Sequence, residues 1–352
     1  MPDADYLLSD LLLNAAEKYP DRAALIFPDS QLSYSKLAAL SQTYARAMVG
    51  HGLKRGEHVG ILAINRPEYI ALLFACMFCG TVAVLLNARF RVQELRHATT
   101  HCDLKWIFVG QNEGVPHAAR YLEAYPTLAD ATPGQSLAVP AAPTLERAVA
   151  LDAFDSPGFL TFTEFLAEQT LATPEQLAAR RQEVIASDLA LIMFTSGTTS
   201  LPKGCMLTQQ SVFRTSLAMR NRLSLTTNDC MWDPLPMFHM ASILPLISLF
   251  HDGGSCLTDD KVDIDRAVEQ IQKHRATFLS PAFPAIMAEL VSHPDLKLDE
   301  IDYVRLINNV GSAQALQENM RVWPSATHIS AFGMTELSGI GSHTDPADSP
   351  QI

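Results

Sequence analysis

Residues 191–208 read LIMFTSGTTSLPKGCMLT. The apolar start of this stretch predicts a buried strand at 189–194, and a helix is expected from about Thr208. Between them, the residues from Thr195 to Leu201 are nearly all Thr, Ser or Gly, and a Pro-Lys-Gly sequence centred on Lys203 follows. Hydroxyls, backbone amides and one ammonium group at such a turn suit the binding of an anionic phosphate chain. The stretch therefore predicts a phosphate loop, and a plain connector between strand and helix is the alternative.

Two common nucleotide-binding motifs do not match this loop. A Walker A motif needs G-x-x-x-x-G-K-[ST]. Counting from Gly197 places Pro202 at the second glycine, and the order that follows is Lys203-Gly204. No G-x-G-x-x-G follows a predicted strand, so the dinucleotide fingerprint is missing as well. The pattern excludes a P-loop kinase or GTPase, while a bound nucleotide of another kind stays compatible with it.

On both sides of the loop, strand patterns alternate with amphipathic helix patterns. Such alternation predicts an α/β fold with mainly parallel sheets flanked by helices. Residues 111–157 are rich in Ala, Pro and Gly, and we expect a variable surface excursion there. Helices are expected at 9–18, 35–49, 67–79, 92–99, 159–167, 211–218, 241–249, 263–274 and 285–292, and strands at 23–27, 31–34, 59–64, 82–86, 106–109, 189–194, 230–235, 277–279, 304–310 and 328–331.

Composition narrows the class of protein. With 352 residues, of which 48% are hydrophobic and 18% charged, the chain can form a large core in two or three lobes. Its net charge of −12 argues against a nucleic-acid partner, because nucleic-acid phosphates attract a basic surface. The first residues carry acids where an export signal would carry basic residues, so we expect a cytoplasmic protein. His97 and His101 stand four apart on a predicted helix without a carboxylate, which favours a solvated face over a metal site.

One stretch, Tyr69 to Leu86, is uncharged and about long enough to span a membrane. Gly80-Thr81 divides it into a buried helix and a short strand, so no transmembrane segment is expected. Cys76 and Cys79 in this helix form a C-x-x-C without a second pair nearby. This arrangement favours two core thiols over a zinc or redox site.

The loop resembles the signature of the adenylate-forming superfamily, which includes acyl- and aryl-CoA synthetases, luciferases and the adenylation domains of peptide synthetases. The phosphate loop of that family reads [YFS]-T-S-G-[ST]-T-G-x-P-K-G, and residues 194–204 match it except at Ser200, where the family has glycine. Three further motifs follow in the family's order. Residues 234–239 resemble P-L-P-x-F-H, residues 311–313 resemble G-G-A, and residues 332–336 resemble Y-G-M-T-E. The resemblance spans essentially the whole chain.

This resemblance implies that ATP or AMP binds, and that a carboxylic acid attacks the α-phosphate to give an acyl-adenylate and pyrophosphate. Positioning and charge neutralisation dominate such transfers. Phe332 would stack on adenine in place of the family's tyrosine, Thr335 would hydrogen-bond the α-phosphate, and Glu336 would hold Mg²⁺. The nucleotide-binding positions implied by the resemblance are Thr195, Ser196, Gly197, Thr198, Thr199, Lys203, Gly311, Ser312, Ala313, Phe332, Gly333, Met334 and Thr335.

On the acid side, the resemblance places His239 at the mouth of the acyl pocket, near the reacting carboxylate. A lone histidine is otherwise read as a structural residue. The implied catalytic residues are His239, Thr335, Glu336 and Lys203. The implied pocket residues are His239, Met240, Ser242, Gly311, Ser312 and Met334.

Three functions stay open at this point. The leading interpretation is an acyl-CoA synthetase that activates a fatty or aryl acid and passes the acyl group to coenzyme A. Amino-acid adenylation domains usually show F-D-x-S where this chain has F-H-M-A at 238–241, and the histidine in place of aspartate fits an uncharged acyl tail better. A non-catalytic nucleotide-binding remnant is the third option. A homodimer is compatible with all three.

The resemblance also implies the domain organisation, which is the family's large N-terminal domain with two stacked α/β lobes. One lobe, with the phosphate loop, is expected over about 68–222, and the other over about 20–67 plus 228–345. The family continues into a β-barrel lobe with a T-G-D motif and a C-terminal domain with a catalytic lysine, and neither motif is found before Ile352. We therefore expect residues 1–352 to be an incomplete AMP-binding domain that binds nucleotide weakly and makes little acyl-CoA by itself.

Overall fold

A computed structural model describes residues 7–111, 116–132, 135–154, 156–195, 201–310 and 313–345. The chain divides into two compact units. The first unit comprises residues 1–10 and 38–212, and the second comprises residues 11–37 and 213–352. Each unit is built around one seven-stranded sheet.

Strands and helices alternate along most of the described chain. The strands are β1 (Ala23–Phe27), β2 (Ser30–Ser33), β3 (His58–Leu62), β4 (Val82–Leu85), β5 (Leu104–Val109), β6 (Arg147–Ala150), β7 (Phe159–Thr161), β8 (Leu189–Thr195), β9 (Lys203–Thr208), β10 (Cys230–Trp232), β11 (Ser255–Leu257), β12 (Phe278–Ala282), β13 (Leu306–Asn309), β14 (Thr327–Ile329), β15 (Ala331–Phe332) and β16 (Ser342–His343). The α-helices are α1 (Leu8–Lys18), α2 (Tyr34–Gly50), α3 (Pro67–Cys79), α4 (Val92–His101), α5 (His117–Ala124), α6 (Phe162–Phe165), α7 (Pro174–Gln182), α8 (Gln209–Arg222), α9 (Met240–Phe250), α10 (Ile264–His274), α11 (Pro284–Ser292) and α12 (Ala313–Val322). Short 3₁₀ turns lie at Pro126–Asp130, Glu168–Thr170 and Thr335–Leu337.

The sheet of the first unit has the strand order β7-β6-β5-β3-β4-β8-β9. Its neighbouring strands run parallel, except that β8 and β9 form an antiparallel hairpin. Helix α3 is buried along residues 69–79, because its own side chains are apolar on every side of the helix. Gly80 ends this helix at φ 70°, a left-handed conformation that glycine adopts without steric cost. Among the described residues, no helix has the length and apolarity needed to cross a membrane.

The sheet of the second unit has the strand order β14-β13-β12-β10-β11-β1-β2, and only the β1–β2 pair is antiparallel. One face of this sheet carries an apolar core with side chains from α10 and α11. Val268 and Ile271 of α10 point into it, as their spacing predicts. The strand order reverses at β10, because the chain passes from β10 to β11 on one side and then returns to β12 on the other.

The predicted fold class is confirmed, since both sheets are mainly parallel and flanked by helices. The prediction for residues 111–157 is wrong. This stretch contains α5 and β6, and β6 pairs in parallel with both β5 and β7. The predicted helix at 159–167 is wrong in its first part, because β7 precedes the one-turn helix α6. The sequence patterns also miss β9, β11, α7 and α12.

Residues 213–222, expected in the first lobe, belong to the second unit, and the units also differ from the predicted lobes in residues 38–67. Residues 38–67 belong to the first unit, because β3 lies between β4 and β5 in its sheet. Residues 11–37 belong to the second unit, where β1 pairs in parallel with β11.

Candidate functional site

The predicted phosphate loop joins the two strands of the β8–β9 hairpin in the first unit. Thr195 at the end of β8 pairs with Lys203 at the start of β9, so the hairpin holds both ends of the loop together. Thr195 is half-buried and Lys203 is exposed. The predicted nucleotide-binding residues Ser196, Gly197, Thr198 and Thr199 lie outside the described residues, so their roles stay predictions.

Helix α4 anchors the far end of this loop. The Nε2–H group of His97 donates a hydrogen bond to the carbonyl oxygen of Pro202 at 2.9 Å. The His101 ring stacks on the His97 ring, with 4.8 Å between the ring centroids. His101 is exposed and His97 is half-buried, as expected for a solvated face beside the core, and His97 in addition contacts Pro202 at the end of the loop. Among the described residues, no group of three or more His, Cys, Asp or Glu side chains could hold a metal ion.

In the second unit, His239 lies at the N-terminus of α9. Its backbone is extended, and its carbonyl oxygen accepts hydrogen bonds from the backbone N–H groups of Ser242 and Ile243 at 3.1 Å. The imidazole is exposed and lies against the Phe238 ring, with 4.6 Å between centroids. The helix N-terminus thus presents this side chain to solvent beside the end of β10.

The other two predicted pocket residues on α9 are buried. Met240 is 4% exposed and Ser242 is fully buried. The Ser242 hydroxyl donates to Oδ2 of Asp233 at 2.6 Å, and the Leu235 backbone N–H donates to Oδ1 of Asp233 at 3.0 Å. Burial raises the pKa of Asp233 to about 7, against 3.8 for an ordinary aspartate.

Sequence reasoning missed Asp233. The available signal is an acid placed directly between the apolar strand β10 and the Pro-Leu-Pro segment. A charged residue at such a position needs partners once it is buried. Here the partners are a backbone amide and a helix hydroxyl, so Asp233 fixes the course of the chain between β10 and α9.

The segment that resembles Y-G-M-T-E forms the β15–β16 hairpin, in which Phe332 pairs with Ser342. The Phe332 ring is 66% exposed. The 3₁₀ turn that follows carries Thr335, which is half-buried, and Glu336, which is exposed. The turn closes at Ser338, whose backbone N–H donates to the Thr335 carbonyl oxygen at 3.0 Å and whose φ is 56°.

Two glycines hold this turn in place. A Cβ atom on Gly333 would lie 1.9 Å from the carbonyl oxygen of Gly339, so only glycine fits there. A Cβ atom on Gly339 would lie 3.0 Å from Cδ2 of Leu244 and 3.3 Å from Cβ of Met240. The chain just after the turn therefore packs, at Gly339, against the first part of α9, the helix that begins beside His239.

The remaining predicted residues are partly outside the described chain. Gly311 and Ser312 lie outside it, and Ala313 begins α12. Glu336 supplies one exposed carboxylate, which fits Mg²⁺ because this ion usually takes one or two protein carboxylates together with waters and substrate phosphates. The exposed Phe332 fits a stacking surface for a purine, and Met334, two residues further along the chain, is 46% exposed.

Comparison with known proteins shows the family of this chain. The family model described as AMP-binding enzyme matches residues 12–352. Indoleacetate–CoA ligase of Aromatoleum aromaticum is 27% identical over 351 residues, which is 97% of this chain and 62% of the ligase. Acyl-CoA ligase sidI of Aspergillus fumigatus is 27% identical over 342 residues, which is 95% of this chain and 56% of the ligase. The chain thus spans about three fifths of these relatives' own length.

Solved structures share the fold. The crystal structure of the anthranilate CoA ligase AuaEII in complex with anthranoyl-AMP matches with a TM-score of 0.82 at 20% identity, covering 98% of this chain and 63% of that one. At this identity the match supports the fold alone. The family model, in contrast, extends over nearly all 352 residues. The chain belongs to the AMP-binding enzyme family.

Proposed function

We propose that this chain binds ATP and a carboxylic acid and joins them as an acyl-adenylate, and that the complete protein then transfers the acyl group to coenzyme A. The observation that carries the proposal is the close approach of Gly339, two residues after the Thr335–Leu337 turn, to Met240 and Leu244 of α9, the helix that begins beside His239. This approach, within one unit, supports the proposal that the nucleotide-binding turn and the acid-binding His239 belong to the same site. Membership of the AMP-binding family and the similarity to acid–CoA ligases support the same function.

The proposed reaction is a displacement at phosphorus. A carboxylate oxygen of the acid attacks the α-phosphorus of ATP, a new P–O bond forms, and the bond to the bridging oxygen breaks so that pyrophosphate leaves. The protein needs to position the two reactants and to stabilise negative charge. In the proposal, the Phe332 ring stacks on adenine and the Thr335 hydroxyl donates a hydrogen bond to the α-phosphate. Glu336 would hold Mg²⁺, and the bound ion would neutralise charge on the phosphate oxygens.

In the same proposal, the phosphate loop of the first unit binds the β- and γ-phosphates. Lys203 would offset their charge, and the hydroxyl of Thr195 would donate a hydrogen bond. His97 would keep the loop in place through the Pro202 carbonyl. The loop would then position the phosphates and stabilise their charge, the two contributions that dominate phosphoryl transfer.

The acid would enter beside His239 and Met240. A fatty or aryl acid is favoured, because the similar indoleacetate–CoA ligase of Aromatoleum aromaticum carries the name of an aromatic acid. An amino-acid adenylation domain is the second candidate, and His239 in place of the usual aspartate argues against it. A cytoplasmic location and a homodimer stay predictions.

ATP–pyrophosphate exchange with a panel of carboxylic acids tests the proposal. The assay is run on the complete reading frame and on the 352-residue chain. Exchange that depends on fatty or aryl acids supports the proposal, exchange with amino acids supports the second candidate, and no exchange from the complete protein contradicts both. Because the chain spans 62% of the indoleacetate ligase, we expect the complete protein to turn over faster than the 352-residue chain.

A further inference from the structure

A row of buried polar side chains crosses the sheet of the second unit. Trp232 pairs with Leu279, and Leu279 pairs with Ile307, on the adjacent strands β10, β12 and β13. The residues that follow these three are all polar, and they are 1%, 0% and 7% exposed in this order: Asp233, Ser280 and Asn308. Neighbouring strands lie about 4.8 Å apart, so the row is about 10 Å long.

The row faces helix α9. Trp232, Leu279 and Ile307 all contribute to the apolar core that α10 and α11 cover. Because successive side chains of a strand point to opposite faces, the polar residues that follow them point to the other face. Ser242 of α9 donates its hydrogen bond to Asp233 on that face.

Among the residues that the structure describes, Asp233 is the one member of the row whose side-chain oxygens all have hydrogen-bond partners. Asp233 accepts hydrogen bonds on both carboxylate oxygens, from Leu235 and Ser242. In the described part of the chain, Oγ of Ser280 and Oδ1 of Asn308 are buried and have no hydrogen-bond partner. Native proteins satisfy nearly all buried polar atoms, with their own groups, with water or with a ligand. Two neighbouring atoms without a protein partner therefore need an external one.

The place of the row in the fold indicates that the external hydrogen-bond partner is a bound ligand. After β10 the chain forms α9 on the face of the polar row, whereas after β12 it forms α11 on the opposite face. At such a reversal the loops diverge and leave a crevice at the carboxyl ends of the strands, which is where α/β proteins bind ligands. His239 precedes α9 on the face of the polar row, and Phe283, 59% exposed, precedes α11 on the opposite face.

We propose that Ser280 and Asn308 are specificity-determining residues that bind a hydrogen-bond donor on the tail of the acid, a hydroxyl or an uncharged amino group. The inference rests on the proposed function, and it narrows the substrate class. The unpaired atom of Asn308 is an amide oxygen, which only accepts, and the Ser280 hydroxyl both donates and accepts. An acid with a plain hydrocarbon tail would bury these atoms without partners, and sites of this kind reject such analogues.

Matched acids that differ by one donor test this inference in the complete protein. Suitable pairs are 3-hydroxybenzoate with 3-methylbenzoate and 6-hydroxyhexanoate with heptanoate. The measured quantity is the ratio of kcat/KM for the donor-bearing acid to that for its methyl analogue, in ATP–pyrophosphate exchange. We expect a ratio above about ten for at least one pair, because a missing donor leaves buried acceptors unpaired. A ratio near or below one for both pairs would overturn the inference while leaving the proposed function intact.

Two substitutions assign the effect to the row. Asn308→Val and Ser280→Ala should each bring the ratio at least threefold closer to one, and Ser292→Ala, at an exposed position of α11, is the matched control. Thermal unfolding shows which variants fold. If Asn308→Val does not fold, Ser280→Ala still tests the inference, because it removes only a hydroxyl group. An unchanged ratio in a folded variant would mean that water satisfies the row, and the inference fails. If none of the tested acids supports pyrophosphate exchange by the complete protein, the proposed function fails together with the inference.

Discussion

Replacing Asp233 by asparagine should make the stability of the protein less sensitive to pH. Asp233 is 1% exposed, and burial raises its pKa from 3.8 to about 7. The folded chain therefore keeps this proton up to about pH 7, whereas the unfolded chain releases it near pH 4. Between these values the folded state binds more protons, so its stability falls as the pH rises. The complete shift corresponds to about 4 kcal/mol, and the part between pH 5 and pH 8 to about 2.5 kcal/mol.

Asparagine keeps both hydrogen bonds of Asp233 without the titration. Its amide oxygen can accept from the Leu235 N–H, and its NH₂ group can donate to the Ser242 hydroxyl. Relative to the unaltered chain, Asp233→Asn should therefore gain about 2.5 kcal/mol in free energy of unfolding from pH 5 to pH 8. Urea unfolding followed by tryptophan fluorescence measures this difference. Asp299→Asn, at an exposed position, is the control. If the difference in free energy of unfolding between Asp233→Asn and the unaltered chain stays constant with pH, or shrinks as the pH rises, burial does not keep the Asp233 carboxyl group neutral.

Two further predictions concern the nucleotide. His97→Ala removes the hydrogen bond to Pro202 and should weaken ATP binding about fivefold, because one lost hydrogen bond costs about 1 kcal/mol. His101→Ala is the control and should have little effect on ATP binding. Calorimetric titration with ATP measures both affinities, and equal losses would contradict the role of His97 in holding the loop. Gly333→Ala brings a Cβ atom to 1.9 Å from the Gly339 carbonyl oxygen. It should therefore destabilise the hairpin by about 1–3 kcal/mol and weaken AMP binding at least tenfold. An AMP affinity equal to that of the unaltered chain would contradict the placement of this turn in the nucleotide site.

The strongly patterned elements of the fold are predictable from the sequence. Helix α3 has a proline start, an apolar surface on all sides and a glycine end, and its bounds are as predicted. The strand β6 is different, because Arg-Ala-Val-Ala has no marked strand preference and joins the sheet only through β5 and β7. Strand β9 likewise owes its conformation to pairing with β8. Pairing depends on a second segment, 41 residues away for Trp106 and Arg147 or across the hairpin for β8 and β9, and the pattern within one segment does not contain it.

The candidate site divides in the same way. The motif positions are visible in the sequence because each motif is a continuous segment, as at residues 332–336. The roles of His97 and Asp233 are not visible, because each depends on a partner that the fold supplies. His97 meets a carbonyl group 105 residues further along the chain. Asp233 meets a hydroxyl on the next helix, and its pKa depends on burial that only the packed unit creates.

The central claim is that a carboxylate oxygen attacks the α-phosphorus of ATP. Its most direct test uses the complete protein with an acid that it accepts, labelled with ¹⁸O in the carboxylate. Mass spectrometry then follows the label in the nucleotide product. We predict AMP that carries one ¹⁸O atom, formed together with unlabelled pyrophosphate, and a large loss of this product in Glu336→Gln. Unlabelled AMP, or ADP with the label in inorganic phosphate, would contradict the account.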